Sequence, residues 1–135
     1  MRFMLLIYMN ESKRETITAQ EFEQCVAEQW PLMDEMTKRG VLRNAEPLQL
    51  ARAATTIRVQ DGKLLTTDGP FAETKEQLGG YYILDCKDLD EAIAWAGQIP
   101  ILRRGWGASI EIRPIRGLPA RPELLRAEYS TTVNG

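Results

Sequence analysis

Two short runs of the sequence, Phe3 to Tyr8 and Tyr81 to Leu84, are apolar at consecutive positions. Each run is too short for a stable helix, and the successive side chains of a strand point to opposite faces of a sheet. Both faces of these strands therefore avoid water, which is typical of strands in the interior of a covered sheet. Any fold of this chain must supply cover for both faces.

A first helix is predicted between these two strands. Thr18 and Glu21 form a capping-box pattern, and Gly40 suits the left-handed position that follows a helix. Apolar residues recur between these ends at spacings of three and four, which predicts one buried stripe. The stripe consists of Phe22, Val26, Trp30, Met33 and Met36 or Thr37. Pro31 is expected to bend the helix, because it cannot donate a hydrogen bond to the carbonyl of Ala27.

The remaining elements are predicted from β-branched residues, alternation and turn residues. The further strands are residues 41–48, 54–59, 63–66 and 110–113. Asp61 and Gly62 form a two-residue hairpin turn, because both residue types tolerate a positive φ. Asp88 begins a second helix that Pro100 stops. Its apolar stripe is Leu89, Ala92 or Ile93, and Ala96.

This order of elements predicts an α+β fold, a ferredoxin-like βαββαβ sandwich with both helices on one face and an extra β-hairpin. We assign residues 1–117 to that domain and residues 118–135 to a C-terminal extension with a short helix at 122–129 and a frayed end. Two helices cover one face of such a sheet. Because the other face would remain exposed as an apolar surface, we predict a homodimer in which the two sheets pack face to face. The alternative cover is the chain's own C-terminal residues, Leu124, Leu125 and Tyr129.

The composition excludes several classes of function. The chain has no histidine, which removes imidazole acid–base catalysis and imidazole metal sites. Its 17 Lys and Arg against 19 Asp and Glu argue against nucleic-acid binding. Cys25 and Cys86 match no metal spacing, so we expect free, buried thiols. The apolar opening is too short for a signal peptide or a membrane span, which predicts a cytoplasmic protein with no membrane partner.

Four charged residues cluster between the hairpin and the second interior strand: Asp68, Glu73, Lys75 and Glu76. In one interpretation Asp68 or Glu73 is a general base, and Lys75 is an electrostatic clamp on an anionic substrate. In the other, Asp68 caps its own turn, Phe71 is a core residue and the charges face solvent. The carboxylate spacing does not support a metal site, and no cofactor is expected.

The segment from Arg103 to Gly107 has a tryptophan between two glycines, next to two arginines. Arg103 and Trp106 fit a mobile lip that grips an anionic or aromatic ligand. The alternative is that Trp106 covers the end of the barrel while the arginines stay hydrated.

The sequence Asp-Gly-Pro-Phe at 68–71, continued in order to Tyr82, resembles the signature of the YCII-related family in its DGPF branch. The similarity covers residues 1 to about 115. It implies a dimeric α+β barrel, no established reaction for most members, and a frequent gene neighbourhood with extracytoplasmic-function sigma factors. Relatives with a proposed active site use a His on the first helix and an Asp before a proline after the second. Here those positions fall near Trp30 and at Ile99, so the dyad is not carried over.

The residues and the resemblance together predict a small-ligand-binding or regulatory homodimer without that dyad. The predicted partners are a second copy of the chain and a small anionic or aromatic ligand. The predicted ligand-binding residues are Asp68, Phe71, Glu73, Lys75, Arg103 and Trp106. The alternative is a small hydrolase or lyase that uses Asp68, Glu73 and Lys75 in a cleft beside the sheet.

Overall fold

The structure, a computed structural model, describes residues 1–118. The strands are β1 (Arg2–Met9), β2 (Leu42–Pro47), β3 (Thr55–Gln60), β4 (Lys63–Asp68), β5 (Gln77–Asp85) and β6 (Ser109–Pro114). The α-helices are α1 (Ala19–Lys38) and α2 (Leu89–Ala96), and short 3-10 helices span Glu11–Thr16, Ala51–Ala53 and Pro100–Arg103. The helix and frayed end predicted beyond residue 118 lie outside the described residues, as do Leu124, Leu125 and Tyr129.

Four strands form one antiparallel sheet in the order β2-β5-β1-β6, and β3 pairs with β4 in a separate hairpin. The two runs that are apolar at every position lie in the two central strands, where Leu5 of β1 is opposite Tyr82 of β5. The predicted α+β fold with a four-stranded antiparallel sheet and an extra hairpin is confirmed. Within residues 1–118 no helix is both long and apolar enough to cross a bilayer.

Both helices pack on the same face of the sheet, where they bury the core. The core residues are Phe3, Leu5, Ile7, Met36, Val41, Tyr82, Leu84, Cys86, Ala92, Trp95, Ala96 and Ile99. The intervening residues of the two central strands point to the opposite face. This uncovered face consists of Met4, Leu6, Tyr8, Tyr81 and Ile83, all half-buried. The prediction that the two helices cover only one face is therefore confirmed.

Helix α1 runs without interruption through Pro31. The predicted capping box is present, because the hydroxyl of Thr18 accepts from the N–H of Glu21 and the Glu21 carboxylate accepts from the N–H of Thr18. Ala27 and Pro31 are both exposed, so solvent can satisfy the carbonyl that the proline leaves without a donor. The bend at Pro31 stays a prediction.

The buried stripe of α1 is centred one residue away from its predicted position. Met36 is fully buried as predicted, but Val26 is 41% exposed and Trp30 is 58% exposed. Phe22 and Met33 are half-buried against the core, as predicted. The other residues on the buried side are Cys25, Gln29 and Leu32. A shift of one residue rotates the stripe by about 100°, and both stripes satisfy helical spacing. The choice between them is made by the sheet, which places Val26 and Trp30 at the edge of the contact.

The stripe of α2 needs a similar correction. Ala92 and Ala96 are buried as predicted, whereas Leu89 and Ile93 are about half exposed. Trp95 is buried instead and contributes the large apolar surface of this helix. Both cysteines are buried and free, as predicted.

The β3–β4 hairpin has the predicted turn. Asp61 (φ 52°) and Gly62 (φ 75°) are both left-handed, as a two-residue turn of this kind requires. At the base of the hairpin, the Thr56 hydroxyl donates to the Gly69 carbonyl (2.8 Å). Asp68 is exposed, and its carboxylate accepts no hydrogen bond from residues 1–118. The interpretation of Asp68 as a turn cap is therefore wrong, because Thr56 holds this turn.

We expect Thr56→Val to lower the free energy of unfolding by ~1 kcal/mol, because the substitution removes the hydrogen bond to Gly69. Thr55→Val is the matched control, since Thr55 is exposed and its hydroxyl has no partner among the described residues. Urea denaturation followed by circular dichroism measures both variants. A loss at Asp68→Ala as large as the loss at Thr56→Val would contradict this account.

Candidate functional site

A cavity of about 620 Å³ lies between α1 and the strands β2 and β5. We call it the helix-side cavity. Six residues of α1 line it: Phe22, Cys25, Val26, Gln29, Trp30 and Met33. The opposite wall comes from β1, β5, the end of β2 and the segment that follows β2. The rotation of the α1 stripe explains this cavity, since it leaves Val26 and Trp30 beside the sheet edge without a partner of their own.

The polar groups on the wall of the helix-side cavity are mostly neutral. The hydroxyl of Tyr82 donates to the side-chain oxygen of Gln29 (3.1 Å). Burial, with a smaller contribution from Cys25, raises the pKa of Tyr82 to about 12. Burial also raises the pKa of the Cys25 thiol, although the nearby Arg104 opposes that shift. Tyr82 and Cys25 therefore keep their protons at neutral pH and present hydrogen-bonding groups without charge.

A second cluster of apolar side chains lies behind Cys25. Met9, Cys25 and Trp106 are buried together, with Phe22 packed against them. Arg104 forms an ion pair with Glu28 (2.6 Å) and lies 5.6 Å from the centre of the Trp106 ring. Met9, Phe22 and Cys25 belong both to this cluster and to the wall of the helix-side cavity.

A larger, open cavity of about 1330 Å³ lies on the other side of the sheet. We call it the open-face cavity. Tyr8, Ser109 and Glu111 of the sheet border it, together with Lys75 and the loop before β5. The hydroxyl of Tyr8 donates to the Glu111 carboxylate (3.4 Å). The pKa of Tyr8 is raised, first by burial and then by the negative charge of Glu111.

The structure does not bring the predicted catalytic residues together in either cavity. Asp68, Glu73 and Lys75 are all exposed, and of the three only Lys75 borders a cavity, the open-face one. Phe71 also borders it and is 76% exposed, so the interpretation of Phe71 as a core residue is wrong. No group of three or more Cys, Asp or Glu side chains within residues 1–118 is arranged to hold a metal ion. A catalytic use of these residues stays a prediction.

Arg103 and Trp106 border neither of the two cavities. Trp106 is buried in the cluster behind Cys25, and the Arg103 guanidinium donates to the Gly97 carbonyl (2.8 Å). Trp106 is therefore packed in the core, as the alternative requires, but the arginines are not simply hydrated, because Arg104 also forms an ion pair with Glu28. That Trp106 covers the end of a barrel stays a prediction. Ligand binding by either residue stays a prediction.

Sequence reasoning missed the helix-side cavity, because no motif marks it. Its polar groups come from separate elements: Cys25 and Gln29 from α1 and Tyr82 from β5. Tyr82 lies 53 positions from Gln29, so no local pattern in the sequence signals that these groups meet.

Comparison with known proteins agrees with this fold. Residues 1–116 match the YCII-related domain, a span that includes every strand and helix described above. The chain belongs to the YCII-related domain family. An uncharacterized protein of Rhizobium meliloti (strain 1021) is 35% identical over 115 residues, which is 85% of this chain and 92% of that relative. The predicted family is confirmed.

In this YCII-related chain, the two positions compared with the relatives' proposed dyad carry side chains that do not transfer protons. Trp30 borders the helix-side cavity, and Ile99 is fully buried in the core. The groups near the first position are the neutral thiol of Cys25 and the Tyr82–Gln29 pair. These uncharged groups can hold a bound molecule by hydrogen bonds and apolar contacts.

We expect the free energy of unfolding to fall as the pH rises from about 9 to about 12. Burial raises the pKa of Cys86 from 9.0 to about 11, and that of Tyr82 from 10.0 to about 12. The unfolded chain loses these protons first, so the folded state loses stability across this window. Urea denaturation at a series of pH values, in reductant, measures the fall. In Tyr82→Phe we expect a smaller loss of unfolding free energy above pH 10 than in the wild-type protein. An unchanged dependence on pH in that range would contradict the assignment to Tyr82.

Proposed function

We propose that this YCII-related protein is a small-ligand-binding homodimer, a ferredoxin-like dimeric α+β barrel that holds its ligand in the helix-side cavity. The observation that carries the proposal is the cavity itself, whose wall is mainly apolar and includes one neutral hydrogen-bonding pair, Tyr82 and Gln29. Cavities that are mostly apolar with a few fixed polar groups are typical of small-molecule sites. A regulatory use of such binding fits the uncharged groups beside Trp30, which are the Cys25 thiol and the Tyr82–Gln29 pair.

The homodimer is supported by the uncovered face. Met4, Leu6 and Ile83 form an apolar centre on it, flanked by Tyr8 and Tyr81. A continuous apolar surface of this kind is costly to leave in water. A second copy related by a two-fold axis would cover it with the same residues, so one patch satisfies both copies.

The alternative, a hydrolase or lyase that uses Asp68, Glu73 and Lys75, is less well supported. Exposed carboxylates outside a cavity lack the partial burial and fixed partners that tune a general base. Lys75 borders the open-face cavity without either carboxylate beside it in that wall. The ligand-binding proposal therefore rests on the helix-side cavity alone.

A neutral dye tests the ligand-binding proposal. N-phenyl-1-naphthylamine is apolar and becomes more fluorescent in apolar surroundings, so a fluorescence titration reports its affinity. We expect the wild-type protein to bind the dye saturably. We expect Val26→Phe to bind it at least about tenfold more weakly, because the larger side chain occupies cavity volume. Val26 is partly exposed, so the fold should tolerate the change.

Ala27→Phe is the matched control for this titration. Ala27 is the next residue of α1, is exposed and does not border the cavity, so wild-type affinity is expected. Equal affinities for the wild-type protein and Val26→Phe would contradict the proposal, as would equal losses in Val26→Phe and Ala27→Phe.

A further inference from the structure

We propose that the helix-side cavity takes a small organic acid, and that Arg14 binds the anionic group of that molecule. The inference rests on the proposed ligand-binding function and narrows its ligand class. The ligand would have an aromatic or aliphatic body in the apolar part of the cavity and a carboxylate or similar anion at the guanidinium of Arg14.

Arg14 is held at the wall of the helix-side cavity by packing on an aromatic ring. It lies in the 3-10 helix Glu11–Thr16, and its guanidinium carbon is 4.1 Å from the centre of the Phe22 ring. Both side chains border the cavity, and both are half-buried. A guanidinium stacked on a ring uses one of its flat faces, and its N–H edge remains available to bind an anion.

The nearby acids do not neutralise Arg14. Within residues 1–118 no carboxylate forms an ion pair with it. The carboxylate of Glu11, which also borders the cavity, accepts the N–H of Ala51 with both oxygens (2.9 and 3.1 Å). Glu46 also borders the cavity. It is opposite Tyr81 in the sheet and follows Ala45, which packs against the core, so strand alternation turns the Glu46 side chain toward the opposite face.

Arg14 is therefore a half-buried cation at an apolar cavity, without an anion from the described part of the chain. A ligand anion would form charge-assisted hydrogen bonds with its N–H edge, and such bonds are about twice as strong as neutral ones. The body of the same ligand would bury its apolar surface against Phe22, Val26 and Met33. The cavity thus offers two kinds of contact that only an apolar acid can use together.

A pair of related dyes isolates the contribution of the anion. 8-Anilinonaphthalene-1-sulfonate carries one sulfonate on the ring system of N-phenyl-1-naphthylamine and otherwise matches it. We expect Arg14→Gln to weaken the binding of the sulfonate dye about tenfold and to change the binding of the neutral dye less than about twofold. Added salt should weaken the binding of the sulfonate dye to the wild-type protein more than that of the neutral dye.

Two further variants sharpen the test. Glu11→Gln keeps an oxygen that can accept from Ala51 and removes a negative charge near Arg14, so it should tighten the binding of the sulfonate dye. Arg52→Gln is the matched control, because Arg52 is exposed and does not border the helix-side cavity, and it should leave both affinities unchanged.

The results separate this inference from the function on which it rests. Two results would overturn the anion site and leave the cavity as the ligand site. In the first, Arg14→Gln weakens the binding of both dyes equally. In the second, Arg14→Gln leaves the binding of the sulfonate dye unchanged while Val26→Phe still weakens the binding of the neutral dye. If the neutral dye does not bind the wild-type protein, both the proposed function and the inference are overturned. The inference is supported if Arg14→Gln weakens the binding of the sulfonate dye alone and Arg52→Gln leaves both affinities unchanged.

Discussion

Gly80→Ala is expected to lower the free energy of unfolding by about 2–3 kcal/mol, because strand β2 leaves no room for a side chain at this position. A Cβ atom at Gly80 would lie 3.0 Å from the carbonyl oxygen of Glu46 and 3.3 Å from the Cα of Pro47. Both are backbone atoms of β2, which pairs with β5 at this point. The strand can move away only by weakening that pairing, and a urea denaturation curve measures the cost.

Gly79→Ala is the matched control for Gly80. The nearest atom to a Cβ at Gly79 is the carbonyl oxygen of Ile7 at 3.8 Å, an ordinary contact distance. We expect a change of less than about 0.5 kcal/mol at this position. Equal losses at the two glycines would contradict the close approach of β2 to β5, and with it the shape of the cavity wall to which both strands contribute.

Leu6→Glu is expected to convert the proposed dimer into a monomer. Leu6 lies at the centre of the uncovered face, and in a two-fold dimer its substitution places a carboxylate from each copy in the apolar contact. Light scattering at micromolar concentration should give about 30.6 kDa for the wild-type protein, twice the 15.3 kDa of the chain. The variant should give 15.3 kDa with an unchanged circular dichroism spectrum.

Leu89→Glu is the control for this substitution, since Leu89 is about half exposed on α2, on the opposite side of the sheet. It should keep the mass of a dimer. A wild-type mass of 15.3 kDa would contradict the homodimer, unless a chain that ends at residue 118 then dimerises. In that case the C-terminal residues cover the uncovered face, as the sequence allows.

The fold was predictable where the signals are local. The capping box of Thr18 and Glu21 fixes the start of α1, and Asp61-Gly62 fixes the hairpin turn. Phe3 to Tyr8 indicates an interior strand by itself, because a short run that is apolar at every position is typical of such strands, and β1 does lie between β5 and β6. Each of these features depends on residues within a few positions of one another.

The burial of individual helix residues was not predictable in the same way. Val26 and Cys25 are neighbours, and helical spacing alone permits a stripe through either of them. The sheet decides between them, and the strands concerned are far from α1 in the sequence. Trp30 and Phe71 are exposed for a similar reason: an aromatic side chain predicts a packing partner, and the partner depends on tertiary structure or on a second molecule.

The site was the least predictable part. The charged loop around Asp68 attracted a functional interpretation because its residues are close in sequence, whereas the side chains of the helix-side cavity come from several elements. Arg14, Gln29 and Tyr82 form no motif, and none of them suggests a ligand when taken alone. These three side chains come to border one cavity only after β5 has paired with β1 and α1 has packed on the sheet.

The methionine methyl groups provide the most direct test of the helix-side cavity as the ligand site. Met9 and Met33 border that cavity, whereas Met4 lies on the uncovered face. With the methyl groups labelled by ¹³C and each signal assigned by its loss in a Met→Leu variant, saturating N-phenyl-1-naphthylamine should shift the signals of Met9 and Met33 and leave that of Met4 in place. A shift of Met4 alone, or no shift of Met9 and Met33 at saturation, would contradict the account.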